Sequence, residues 1–152
     1  AVSVATGGVL RVAHANALGS TNGATSVALG AWLEITGNVS VPEPLTLNGD
    51  GTVGSAGNLR STLGTNVWSG LITQTAASRI RALTTSRLTL SGGLTGSTSV
   101  YLTPDSGAEV AVTGAPLNVG SAGKVYANGA GTVALGAAGN TFGTLEIAGG
   151  AQ

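Results

Sequence analysis

The residues of this sequence that could perform acid–base chemistry are Glu34, Glu43, Asp50, Asp105, Glu109 and Glu146. Cleavage of a glycosidic bond needs two carboxyl groups held close together. Only Asp105 and Glu109 are near one another, on either side of a Ser-Gly-Ala turn. We interpret the acids as solvated loop and face residues and predict that the chain is not an enzyme. A polysaccharide-active β-helix enzyme stays open as an alternative, for which two acids would have to share a groove.

Other reactive side chains are sparse. His14 is the only histidine, and the sequence contains no cysteine and no methionine. Without cysteine, disulfides, thiolate chemistry and the usual zinc sites are excluded. The segment Asn48-Gly49-Asp50-Gly51 resembles a calcium loop, but calcium-binding β-rolls need tandem copies and only one is present. We predict no catalytic, cofactor-binding or metal-binding residue, and no cofactor.

The basic and aromatic residues suggest binding surfaces only weakly. Arg79, Arg81 and Arg87 form the one basic cluster visible along the sequence. We interpret it as a charged edge that keeps strands soluble, with an anionic glycan as the alternative ligand. Trp32 and Trp68 are interpreted as core or corner residues, with sugar stacking as the alternative.

Composition excludes several classes of protein. The chain has 152 residues, of which 8% are charged, and its formal net charge is zero. With no basic stripe and few aromatic residues, nucleic-acid binding is unsupported. No apolar run approaches the ~18 residues needed to span a bilayer. The 42% hydrophobic share with so little charge favours collapse over disorder.

Short extended segments recur along the whole chain. Leu45-Thr46-Leu47-Asn48-Gly49 and Leu88-Thr89-Leu90-Ser91-Gly92 share one pattern: two inward leucines, one outward threonine and a turn containing glycine. Along the whole chain we count about fifteen short extended segments, and one of them is a predicted strand over Val67–Thr73. Short strands with turns and no hairpin signals predict an all-β solenoid of roughly three strands per coil and about five to six coils. Thr46 and Thr89 resemble single rungs of an ice-binding threonine ladder, but Thr-x-Thr is not repeated in register.

Several stretches resemble the passenger-associated repeats of bacterial autotransporters and related giant surface proteins. They are PEPLTLNGDG, NLRSTLGTNVWSGLIT, SRLTLSGGLTG, LRVAHANALGS and GAGTVALGAAGNTFGTLEIAGG. The resemblance implies a right-handed parallel β-helix that is secreted or displayed on a bacterial cell surface. It also implies roles as an adhesin, a stalk or an enzyme carrier, and it supplies no catalytic residues.

The two ends of the sequence look like the middle of a solenoid. Neither end shows a capping repeat, so we expect residues 1–152 to be one solenoid segment that belongs to a longer solenoid or stacks head-to-tail on copies of itself. The expected assembly interface is Val2, Val4, Val9, Leu145 and Ile147. We predict a structural building block of an extracellular filament or stalk, with the chain itself as partner. The alternative is an adhesin segment that binds a glycan or a surface protein.

Overall fold

A computed structural model describes residues 1–49 and 56–149. These residues form an all-β structure in which no helix occurs. The strands are β1 (Val2–Val4), β2 (Val9–Val12), β3 (Thr25–Val27), β4 (Trp32–Thr36), β5 (Ser40–Val41), β6 (Leu45–Leu47), β7 (Leu59–Leu63), β8 (Thr65–Trp68), β9 (Ile72–Gln74), β10 (Ser78–Ala82), β11 (Arg87–Leu90), β12 (Leu94–Thr95), β13 (Val100–Pro104), β14 (Glu109–Val112), β15 (Leu117–Asn128), β16 (Thr132–Leu135) and β17 (Thr141–Ala148).

The strands stack as a parallel β-solenoid of about six turns, which confirms the predicted fold class. Each strand pairs in parallel with its counterparts in the neighbouring coils and not with the next strand along the chain. Three faces result. Face one contains β1, β3, β6, β9 and β12, face two contains β2, β4, β7, β10 and β13, and face three contains β5, β8, β11, β14 and β16. The longer strands β15 and β17 pass through the corner between faces one and two and contribute to both.

Alternation within each strand fills the interior with columns of apolar side chains. In β7 and β10, for example, Leu59 and Ile80 point inward and are fully buried, while Arg60 and Arg81 point outward. The longest inward column on face two consists of Leu10, Leu33, Leu59, Ile80, Leu102, Ala127 and Ile147. Stacking along the axis pairs the strand backbones while the columns exclude water, so the coils stabilise one another.

A corner of the solenoid divides one segment that was predicted as a single strand. The predicted single strand Val67–Thr73 was wrong, because the chain turns from face three to face one between β8 and β9. Gly70 lies in this corner, and a side chain there would collide with the backbone oxygen of Glu43 in the preceding coil. Only glycine permits this close approach between coils.

One corner of the interior is polar. Asn66 is fully buried, and its Nδ2 donates to Ser61 Oγ and to the Leu63 backbone oxygen, both at 2.9 Å. Its Oδ1 accepts from the backbone N–H of Val39 at 3.0 Å. Ser86 Oγ donates to the Ser61 backbone oxygen at 2.9 Å. The network satisfies buried polar groups where the chain turns between faces two and three.

Candidate functional site

Face two carries most of the positive charge of the molecule. Of the six basic residues in the sequence, five lie on this face, and only Arg87 lies elsewhere, on β11 of face three. The sequence cluster of Arg79, Arg81 and Arg87 is therefore divided between two faces. The residues that join Arg79 and Arg81 on face two come from other coils: Arg11, Arg60 and Lys124.

These cations lie among carboxylates. Arg11 donates to Glu34 Oε2 through Nε and Nη2 at 3.0 and 2.9 Å, and Arg60 Nη1 lies 3.6 Å from Glu34 Oε1. Arg81 pairs with Asp105 at 2.9 Å. Lys124 Nζ donates to Glu146 Oε1 at 2.8 Å. Each of these pairs links one coil to the next, so the charges connect successive coils.

Aromatic rings on face two lie in the same stack as the cations. The guanidinium of Arg60 lies 4.1 Å from the centroid of the Trp32 ring, and that of Arg79 lies 4.9 Å from the Tyr101 ring. The rings of Tyr101 and Tyr126 are stacked, with centroids 4.5 Å apart and planes 6° from parallel. Each of these rings therefore has a face that is covered by a cation or by another ring.

The environment shifts the pKa of two cations on this face. Burial lowers the pKa of Arg60, and the nearby Glu34 carboxylate opposes this shift. The pKa of Lys124 is raised, first by its hydrogen bond to Glu146 and then by the charge of that carboxylate. Both shifts follow from contacts between coils.

The remaining acids occupy different environments. Glu109 pairs with Arg87 at 3.1 Å, beside an open depression of about 250 Å³ that Thr132 also lines. Glu43 is 2% exposed, and its Oε1 has no hydrogen-bond partner among the described atoms. The described residues contain no group of three side chains suited to a metal ion. In the segment that resembles a calcium loop, Asp50 and Gly51 lie outside the described residues.

Face one carries an outward column of hydroxyl and amide side chains. Successive coils contribute Ser3, Ser26, Thr46, Thr73, Thr95, Asn118 and Thr141. The sequence did not reveal this column, because paired residues of neighbouring coils are separated by 20 to 27 positions and show no fixed repeat. Thr89 does not belong to it and lies on face three. The two leucine-flanked threonines are therefore not rungs of one ladder.

The last described coil leaves apolar side chains exposed. β17 pairs with β15 along one edge, and its other edge has no partner strand among the described residues. Ile147 is 66% exposed and Leu145 is 41% exposed. These two residues belong to the predicted assembly interface, and they continue the inward columns of face two.

The first coil is better covered. Val4 is 6% exposed and lies within the core, Val2 is half-buried, and Val9 is 51% exposed. Leu18, from the segment that replaces a face-three strand in this coil, is also 6% exposed and packs on the core. Of the predicted interface residues, Val4 is therefore internal, while Val9 reaches the surface.

The fold and these surfaces define a β-solenoid with one charged face and, within the described residues, unpaired strand edges at its first and last coils. No family model, no curated protein and no solved structure matches this chain. Among the described residues, no helix is both long and apolar enough to cross a membrane.

Proposed function

We propose that this β-solenoid is a structural element of a bacterial extracellular or cell-surface filament or stalk. It assembles by end-to-end stacking of coils. The observation that carries the proposal is the edge of β17 that has no partner within the described part of the chain, with Leu145 and Ile147 exposed beside it. An open strand edge with apolar side chains pairs readily with another strand. A heterologous contact of this kind does not close and extends into a fibre.

Surface localisation is part of the same proposal. The resemblance to autotransporter repeats supports it. The low charge supports an apolar, backbone-paired junction, which salt screens little. Filaments are therefore expected to persist between low and molar sodium chloride, and their dissolution over this range would contradict an apolar junction.

The test is electron microscopy and light scattering of the chain, with Ile147→Asp as the disruptive variant. A buried aspartate at the junction would cost too much for stacking to persist, so fibres are expected from the parent chain and not from the variant. Leu63→Asp is the matched control, because Leu63 is 65% exposed but lies in the middle of the solenoid. Monodisperse particles at every concentration, or equal loss of fibres in both variants, would overturn the proposal.

A denaturing gel of fibres from the source separates two forms of the proposal. Non-covalent stacking of this chain predicts a single band near 14.6 kDa. A very large band would mean that this unit is a segment of one long solenoid polypeptide.

A second candidate function is an adhesin segment that binds an anionic glycan along face two. The clustering of five basic residues on that face favours it. Polygalacturonate is a suitable probe in affinity electrophoresis. Binding that Arg81→Ala weakens, while the face-three control Arg87→Ala does not, would support this candidate. Equal migration with and without the polymer would remove it.

A further inference from the structure

We infer that a second copy of this chain docks its strand β2 on β17, in the register that already joins successive coils within the chain. The inference rests on the proposed function and specifies its partner and geometry. In this register Ile147 of one copy lies opposite Leu10 of the next, because both belong to the same inward column of face two. A shift by one residue would turn the apolar side chains outward.

In this register Leu145 would lie opposite a glycine of the second copy. Leu145 continues a column that includes Val100 and Val125. The first-coil residue that corresponds to this column is Gly8, which precedes Val9 in β2. Gly8 has no side chain, and a Cβ there would lie 2.8 Å from the backbone oxygen of Ala5. A second copy would therefore present glycine backbone to Leu145, with the turn from Ala5 to Gly8 directly behind it.

The charges of the two ends are complementary in this register. Arg11 would lie opposite Ala148, two residues from Glu146. A contact with the same two-residue offset already exists within the chain. Arg60 lies opposite Glu34, and its guanidinium contacts Trp32, two residues before Glu34, at 4.1 Å. Glu146 would then lie between Lys124 of its own copy and Arg11 of the next. This repeats the position of Glu34 between Arg11 and Arg60.

The ion pair is expected to select the register more than to strengthen the junction. The side chain of Arg11 is 67% exposed and that of Glu146 is 44% exposed, and exposed pairs contribute little affinity. Glu146→Gln should therefore weaken association about twofold to fivefold at low salt and leave it unchanged at molar salt. Glu109→Gln, on face three, is the control and should behave like the parent at both salt concentrations.

Cysteine cross-linking tests the register directly, because the chain has no cysteine of its own. The variant Val9→Cys with Glu146→Cys places two outward residues opposite each other across the junction, at a strand spacing of about 4.8 Å that suits a disulfide. Under oxidation it should give a ladder of dimers, trimers and longer chains on a non-reducing gel. The control, Val9→Cys with Ala148→Cys, is offset by two residues and should cross-link at least tenfold less. Each single-cysteine variant should stop at the dimer or below.

The outcomes separate this inference from the proposed function. A ladder in the in-register variant alone supports both. Fibres by electron microscopy with stronger cross-linking in the offset control, or with none in either variant, would overturn the register and leave end-to-end stacking standing. Particles that stay monomeric at all concentrations would overturn both.

Discussion

Trp68 is the residue on which the interior of face three depends most. Its side chain is fully buried in a column between Val41 and Leu90. We expect Trp68→Ala to lower the free energy of unfolding by about 3–5 kcal/mol, because it removes a large apolar side chain and leaves a cavity. Urea denaturation measures the change.

Trp32→Ala is the matched control for this prediction. Trp32 is half-buried and contacts the Arg60 guanidinium, a cation–π contact worth about 0.5–1 kcal/mol at an exposed site. Its loss should reduce stability by less than half as much as the loss of Trp68. Equal losses would contradict the distinction between a core and a surface tryptophan.

The burial of Trp68 could be predicted from the sequence, but the burial of Asn66 could not. The interpretation of Trp68 as a core or corner residue is confirmed by its complete burial, whereas Trp32, interpreted in the same way, lies on the outward side of face two. Asn66 lies two positions before Trp68 in β8 and is equally buried. Its polarity suggests an outward position, and only the corner that brings Ser61 and Val39 beside it explains its burial.

At the scale of the elements, Glu34 links strands β2, β4 and β7 of face two. It contacts both Arg11 and Arg60, and the Arg60 side chain is only 13% exposed. We expect Glu34→Gln to cost about 1–3 kcal/mol of unfolding free energy, because it leaves a largely buried guanidinium without its counter-charge. Glu146→Gln, whose pair with Lys124 is exposed to solvent, should lower the unfolding free energy much less than Glu34→Gln does. A loss below this range from Glu34→Gln would mean that solvent already screens the charges of Glu34, Arg11 and Arg60.

Lys124 provides a spectroscopic measure of the contact between β15 and β17. Glu146 raises the pKa of this lysine in the folded chain. Its contribution to stability is therefore fully present below the unfolded-state pKa and is lost as the pH rises through the folded-state pKa. In Glu146→Gln, the pKa of Lys124 should fall toward the ordinary value of 10.5. A side-chain NMR titration of this single lysine measures the shift, and an unchanged pKa would show that the pair does not form in solution.

The strands were more predictable than the columns they build. Short apolar alternation bounded by glycine was enough to predict strands such as β4, β6 and β11, because it depends only on neighbouring residues. The register between coils depends on corner lengths, and paired residues of neighbouring coils are separated by 20 to 27 positions. For that reason Val67–Thr73 was predicted as one strand, and the shared face of Arg11, Arg60 and Arg81 was not foreseen.

The whole molecule is one-dimensional, because each coil contacts only the coils before and after it. Stability in such a fold is close to a sum of contacts between neighbouring coils. Strand β10 has a partner on both sides, in β7 and β13, and its inward residues are buried. Strand β17 has one partner among the described strands. Seven of its eight residues are exposed, and the eighth, Phe142, is half-buried. The last described coil should therefore be the first part of the solenoid to open.

Hydrogen exchange can test whether assembly removes the difference in local stability between β10 and β17. In dilute solution, backbone amides of β17 should exchange much faster than those of β10, because local opening needs less free energy where few buried contacts are lost. End-to-end stacking would cover the open edge of β17 and its exposed Leu145 and Ile147. Protection of β17 should then rise with protein concentration in the parent chain, and stay low in Ile147→Asp.

The amides of β10, whose neighbours are already in place, should keep the same protection at every concentration. Concentration-independent exchange in β17, measured by mass spectrometry across the range where fibres appear, would mean that the fibre contact lies on another surface of the solenoid.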